Sequence, residues 1–394
     1  MREADAVIVG ARCAGSTLAI DLARRGWDVV LVDHDRFPSE TLSTHLIFPN
    51  TLARLAELGV LETLLDAHEL PLLEFRLLGF GNEISGLFTP IDGLDRCAAP
   101  RRVALDEAIL DTAVAAGADA LLGERVAELI GSGTEEDPVR GVVLANGERV
   151  CARWVFGADG RGSTVAGRLG VEKRQPLQGE ISYLFAYWLG VPDDGFATTD
   201  LGEEAAVSRW AGEDGTCLLA AWGDAEFTRG SKEERLARYL DRLRRFPQTI
   251  DADVLDRAQM VSELVVAPES LMRGFYRAPT GPGWALVGDS CHFKHPATAQ
   301  GISDAVEQAL YVAESLSAPQ PSLENYEQWR DARAAEHYEW SFAWGRFPTP
   351  ETEKIFVGWA READAGQDVR DCLARRVEPS RVMSPERLAR WFAS

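Results

Sequence analysis

The first 33 residues limit most strongly what this chain can fold into, because "DAVIVG", "ARCAGSTLAIDLARRG" and "WDVVLVD" read as strand, turn and helix, and strand. In the helical segment Leu18, Leu22 and Arg25, with Ala19 and Ala23, recur near a 3.6-residue period, and Gly26 stands where a helix stop belongs. The pattern predicts a βαβ unit. Its turn runs from Gly10 through Ala14 to Gly15, and Asp33 closes the second strand. Gly10 permits a tight turn, the helix N-terminus offers free N–H groups and a positive dipole end to a pyrophosphate, and Asp33 can accept from a ribose. Arg12 replaces the middle glycine of the G-x-G-x-x-G pattern; its Cβ crowds the backbone, but its guanidinium can reach a phosphate.

Further along, residues 102–122 predict an amphipathic helix ending at Gly117, then strands with an Asn146-Gly147 hairpin turn. Segments 72–90 and 180–222 read as antiparallel strands, with turns at Gly81-Asn82 and between Gly212 and Gly215. The pair Ser231 and Glu234 forms a capping-box pattern ahead of a helix that stops at Pro247. A strand at 283–289 and a helix from about 301 return the chain to the first layer. After Pro319 the sequence is helical and polar, and Trp340, Trp344, Trp359 and Trp391 belong to helices expected to cover the rest.

A chain of 394 residues is long enough for two intertwined domains and a buried site. The formal charge of −21 works against nucleic-acid or anionic-membrane partners, since long-range repulsion opposes both encounters. No apolar run approaches the roughly 20 residues needed to span a bilayer. Cys13, Cys97, Cys151, Cys217, Cys291 and Cys372 are scattered without a CxxC pair, which predicts reduced thiols, no structural metal and a cytoplasmic protein. The N-terminus carries Arg2, Glu3 and Asp5 directly before an apolar strand, unlike a signal peptide.

Two more motifs follow in order, "GADGRGSTV" from Gly157 and "GDSCHFKHPATAQGISDA" from Gly288. Together with the first turn they resemble the signatures of the class A flavin hydroxylases, the single-component monooxygenases related to p-hydroxybenzoate hydroxylase, over about residues 1–315. The resemblance implies an α/β fold, with a Rossmann-like FAD-binding domain, an interleaved antiparallel-sheet substrate domain and a helical C-terminus. We expect the first in residues 1–71, 96–172 and 270–318, the second in 72–95 and 173–269, and the third in 319–394.

The same resemblance assigns residues to FAD. Arg12 reaches a phosphate or the flavin edge, Arg102 contacts the phosphates, Asp289 accepts from the ribityl hydroxyls, and Asp159 makes a structure-supporting cofactor contact. Gly301 and Ile302 open a helix beside the flavin N1–C2=O edge, where reduction places negative charge, and Pro296 lies over the flavin face. The loop from Arg36 to Ile47 resembles the one that approaches the flavin from the substrate side, and makes Arg36 a cofactor candidate. His45 there either hydrogen-bonds flavin or substrate or is capped by Ser43 and Thr44. Pro296, Gly301 and His45 are the candidates nearest the chemistry. His292 reads best as a packed core histidine; Lys294 and His295 read either as polar groups beside the oxygen-reacting face or as a solvated loop face, with the second favoured. Ala299 stands where the family often has glycine, Ser303 where asparagine or glycine is frequent, and Gln308 where aspartate is usual.

In "ISYLFAYWLG", Tyr183, Phe185 and Tyr187 share one strand face. They either stack a substrate or pack as sheet core. The resemblance implies an NAD(P)H-consuming monooxygenase that uses O2, through a flavin hydroperoxide, to hydroxylate or epoxidise an aromatic or polyketide-type small molecule, as a monomer or homodimer. A geranylgeranyl-reductase-like activity and a non-redox FAD-containing cyclase stay open. Halogenation is disfavoured, because the WxWxIP motif is absent and lysines are scarce.

Overall fold

The computed structural model describes residues 2–43, 45–203, 205–346 and 349–393, so the Thr44 part of the proposed His45 cap lies outside the described residues. The first strand, Arg2–Val9, pairs in parallel with Val29–Asp33 on one side and Arg149–Gly157 on the other. Asp119–Leu122 and Trp284–Leu286 extend this parallel sheet outward. Its inner strand Val29–Asp33 is buried at every residue, the continuous apolar run that a parallel strand covered on both faces requires. Helix Cys13–Arg24 packs against helices Arg102–Ala115 and Gly301–Leu316. The Asn146-Gly147 turn joins Gly141–Leu144 to Arg149–Gly157 as the hairpin expected there.

Gly15 sits in the first turn of its helix, where an added Cβ would lie 1.8 Å from the Gly10 carbonyl oxygen. Gly10 itself has φ +106°, and a Cβ there would meet the Ala158 carbonyl at 2.5 Å. Both glycines are therefore required by close backbone approach between strand, turn and helix.

The second sheet runs Gln259–Met260, Ser182–Leu189, Thr216–Gly223, Ala206–Ala211, Phe196–Leu201, Glu74–Gly79 and Asn82–Gly86. Its two faces separate cleanly. Leu184, Ala186 and Trp188 pack beneath helix Lys232–Arg244, whose capping box from Ser231 and Glu234 is fully formed. Tyr183, Phe185 and Tyr187 face the other way, into a core shared with Phe48, Phe75, Trp340 and Trp359. Five helices, Tyr326–Trp344, Pro350–Arg361, Ala363–Leu373, Pro379–Val382 and Pro385–Ala393, complete the chain. Among the described residues no helix is long and apolar enough to cross a membrane.

One buried carboxylate ties these parts together. Asp304, on helix Gly301–Leu316, pairs with Arg375 from the C-terminal helices and with Lys294 Nζ at 2.7 Å from the loop ahead of its own helix. Burial alone would raise its pKa, but Arg375 and Lys294 hold the carboxyl well below the usual carboxylate range. Gln300 reinforces the join by donating to the carbonyls of Cys372 and Leu373, at 3.0 and 3.1 Å.

Two outcomes are expected. Gly15→Ala should lower the unfolding free energy by at least about 1–3 kcal/mol in urea denaturation, because the methyl has nowhere to go without moving Gly10. Asp304→Asn should cost about 3–5 kcal/mol, since it strands the charges of Lys294 and Arg375 in the interior. A carboxyl depressed on folding stabilises above its unfolded pKa and loses that contribution as pH falls through its folded value. The gap between parent and Asp304→Asn should therefore be full at pH 7 and close only in strong acid. A gap below 1 kcal/mol at pH 7 would show that the cluster contributes little to stability.

Candidate functional site

A cavity of about 700 Å³ opens where the first turn, the 40–45 loop, the Asp159-Gly160 (DG) turn and the Gly288-Asp289 (GD) turn converge. This lies within the roughly 300–1,000 Å³ of cofactor and ligand sites. Of the residues selected from sequence, Gly10, Arg12, Ala14, Asp33, His45, Arg102, Asp159, Asp289, Pro296, Gly301 and Ile302 line it together. Residues from six separate segments thus meet at one place, because the parallel strands end on the same side and their turns project there.

The charged groups are pre-arranged. Asp33 accepts from the backbone N–H of Ala11 at 2.6 Å and of Asp35 at 2.8 Å, so its carboxylate ties the turn to the strand end while facing the cavity. Asp106, fully buried, binds Arg12 at 2.8 Å and receives Arg102 through both Nε and Nη2. Arg12 also reaches Asp35 and Ser39. Both arginines line the cavity with their forks partly engaged, which fixes their position and leaves positive potential at the wall. Asp159 caps the helix Thr164–Arg168 by accepting from Thr164 N at 2.6 Å, and its Oδ1 is buried without a partner among the described residues. Burial raises Asp289 to about 6 against the pull of Arg161 and Arg102, so this carboxyl is poised to gain from a hydroxyl donor in the cavity.

Gln308 explains its own departure from the family pattern. Its Oε1 accepts from Gly288 N at 2.8 Å, which turns its Nε2 toward His292 Nδ1 at 2.9 Å. The proton of neutral His292 then sits on Nε2, which faces Asp304 Oδ2 at 3.3 Å. His292 is buried and hydrogen-bonded, and it also lines the cavity.

Several expectations need correction. Lys294 and His295 are not on a solvated face: they are 4% and 0% exposed, because Asp304 draws Lys294 inward and His295 is enclosed between Gly179, Gly345 and Phe342. Burial lowers Lys294 to about 8, with Arg375 acting in the same direction and Asp304 against it. Arg36 does not line the cavity; its guanidinium lies over Gly123 instead. Gly15 does not line it either and serves the backbone packing described above. Asp106, Asp304 and Gln300 were missed, although Arg102 and Asp106 stand at i,i+4 on one helix, a spacing that signals pairing.

Beside the cavity lies a small aromatic chamber with about 40 Å³ unfilled. Tyr183 lines it, but Phe185 and Tyr187 do not. Its other walls include Trp210 and Trp222 from the sheet and Trp340, Trp344 and Trp359, three of the four tryptophans expected in covering helices; Trp391 does not line it. Leu46, Pro296 and Ala299 line both spaces and form the boundary between them.

His45 has φ +42° and is buried. Its Nδ1 is 3.2 Å from the Ser43 carbonyl, a pure acceptor, and 3.3 Å from the Tyr187 hydroxyl. Burial lowers its pKa to about 3, so the ring is neutral. The proton therefore sits on Nδ1, and Nε2, without a partner among the described residues, is an acceptor at the cavity wall.

The residues fit FAD on their own geometry. A helix N-terminus meets a glycine cradle with no room for Cβ atoms, two arginines stand at the wall, His45 Nε2 and Asp159 Oδ1 have no partner among the described residues, and Gly301 is open, an added Cβ there meeting nothing within 4 Å. A family model described as an FAD binding domain matches residues 3–341. The chain is 27% identical over 358 residues to a menaquinone reductase of Mycolicibacterium smegmatis, covering 87% of this chain and 83% of that protein. It is 29% identical over 318 residues to a 6-methylpretetramide 4-monooxygenase of Streptomyces rimosus, covering 78% and 73%. The solved structure of the flavin-dependent brominase Bmp2 superposes with a TM-score of 0.76 at 19% identity, covering 99% of this chain and 98% of that one. With that domain model spanning its turn, DG and GD motifs and both sheets, the chain belongs to the family of proteins built on the FAD-binding domain.

Proposed function

We propose that this protein is an FAD-dependent monooxygenase that consumes NAD(P)H and O2 and oxygenates an aromatic or polyketide-type small molecule. The observation that carries the reading is the shared boundary at Pro296 and Ala299, which sets an apolar aromatic chamber directly against the cofactor cavity. The likeness to a 6-methylpretetramide 4-monooxygenase supports the same reading. FAD, once bound, supplies the redox chemistry with NAD(P)H and oxygen.

The chain's own residues then have three tasks. The Gly10 turn, Arg12, Arg102, Asp33, Asp159 and Asp289 hold and orient the cofactor. Helix Gly301–Leu316 directs its N-terminal N–H groups and dipole into the cavity, where developing negative charge is stabilised. The tryptophan-lined chamber excludes water and holds substrate against Pro296. His45, neutral at all ordinary pH values, acts as a hydrogen-bond acceptor rather than a proton store.

A second reading, reduction of an unsaturated or quinoid substrate, draws on the likeness to a menaquinone reductase. Halogenation draws no support beyond the fold: the brominase is 19% identical, and the WxWxIP motif is absent here.

Substrate-stimulated NAD(P)H oxidation with stoichiometric oxygen uptake and a product carrying label from ¹⁸O₂ is the expected result. Oxidation without label in the product would move the assignment to the reductase. Gly301→Val should fold normally, since its side chain meets no protein atom, yet project into the cavity and cut product yield per NAD(P)H at least severalfold. Unchanged coupling would show that this helix end does not contact the flavin. Asp289→Ala should release FAD more readily, by about 1.5–3 kcal/mol for a lost charge-assisted hydrogen bond. Equal retention on a desalting column and in a titration of apoprotein would remove Asp289 from the cofactor contacts.

A further inference from the structure

The aromatic chamber holds three hydrogen-bond donors with nothing to donate to. Tyr183 Oη, Trp210 Nε1 and Trp359 Nε1 are buried and have no partner among the described residues, and all three side chains line the chamber. Their exposures are 5%, 6% and 1%. Buried donors are nearly always paired, so three in one small space call for a reason. The opposite face of the same sheet shows that this fold does pair such groups elsewhere. There Trp188 Nε1 donates to Tyr239 Oη at 2.9 Å, and Tyr239 Oη in turn donates to the Leu219 carbonyl at 2.9 Å. The chamber's own hydroxyl at Thr199 is likewise paired, with Ser208 at 2.9 Å. Among the described residues of this sheet, the buried aromatic donors left open are those on the face toward Pro296.

An indole N–H can donate and never accept, so Trp210 and Trp359 specify acceptor atoms in whatever fills the chamber. No lysine or arginine is among the lining residues, which leaves a carboxylate or phosphate without a counter-charge there. Flat tryptophan walls select a flat occupant. We infer that the chamber receives a neutral, planar, conjugated ligand bearing carbonyl oxygens, which accept from Tyr183, Trp210 and Trp359. This deepens the reading given above and rests on it.

The unfilled volume of about 40 Å³ is below the ~150 Å³ of a cavity that takes up benzene. The ligand therefore enters by displacing side chains, and its binding must change the tryptophan environment.

The test uses the FAD-loaded protein without NAD(P)H, so that nothing turns over. Two probes of matched shape are compared by equilibrium dialysis and tryptophan emission: 2,3-dimethyl-1,4-naphthoquinone, whose substituted ring positions resist thiol addition, and 2,3-dimethylnaphthalene, which lacks the oxygens. The dione should bind at least tenfold more tightly and shift the emission. Tyr183→Phe, Trp210→Phe and Trp359→Phe should each lower the preference for the dione over the hydrocarbon by roughly three- to tenfold. Because Tyr183→Phe removes an unpaired buried donor and leaves the ring in place, its thermal midpoint should stay level or rise, which a merely structural role would not give.

Equal binding of the two probes to the parent protein overturns the inference without any variant. So does a preference for the dione that survives in the folded triple variant, or a fall in midpoint with the preference intact. A protein that prefers the dione but never incorporates oxygen would keep this inference and lose the monooxygenase assignment; oxygen incorporation with equal probe binding would do the reverse.

Discussion

Everything near the chemistry depends on one buried carboxylate. Asp304 accepts Arg375 and Lys294 and faces His292 Nε2, and these come from the C-terminal helices, from the loop ahead of Pro296 and from the GD turn. Two cations on one buried anion leave positive charge at the head of helix Gly301–Leu316, adding to the dipole that already favours an anion there. The desolvation of such a cluster is expensive, so its net contribution to stability is modest beside that of a hydrophobic replacement. What it supplies instead is position. The segment from Lys294 to Gly301 has little regular structure of its own; the carboxylate fixes its Lys294 end, and the Gln300 bonds to Cys372 and Leu373 fix the other.

The opposite end of the cavity repeats this logic with the signs arranged otherwise. Asp106 holds two arginines rather than a lysine and an arginine, and Cys13 Sγ approaches its Oδ1 at 3.1 Å. Here the guanidiniums are the groups that face the cavity, and the carboxylate lies behind them, 0% exposed. A protein with a formal charge of −21 thereby presents positive side chains to this cavity, where the proposed site would take the pyrophosphate of the cofactor.

What was legible in the sequence was local. The βαβ unit, the hairpin at Asn146-Gly147, the capping box at Ser231 and the glycines of the turns each depend on residues a few positions apart, and each is present. Ten of the twelve residues selected for the cofactor, and His45 with them, line one cavity because motifs that end parallel strands must meet. What was not legible depends on distance along the chain. Arg12 meets Asp106 across 94 positions, and Gln300 meets Cys372 across 72. Lys294 reads as solvated on its own, since a lysine in a polar loop usually is; only Asp304 beside Arg375 brings it inside. The chamber tryptophans 210, 222, 340, 344 and 359 come from two sheet strands and two C-terminal helices, and no spacing rule links them.

Ala299 shows how tightly this arrangement is held. Its backbone is left-handed, φ +49° and ψ +33°, which is why glycine is the commoner residue at this point of the family loop. For an alanine that conformation costs roughly 1–2 kcal/mol. Such strain persists only where the surroundings over-determine it. Here they do: on one side Lys294 is fastened to Asp304, and on the other Gln300 is fastened to the ends of Cys372 and Leu373. In return the chain keeps a methyl group that packs against the aromatic core at the boundary between chamber and cofactor cavity. Glycine would relax the backbone but leave that boundary thinner, so the departure from the family pattern shapes the wall between chamber and cavity.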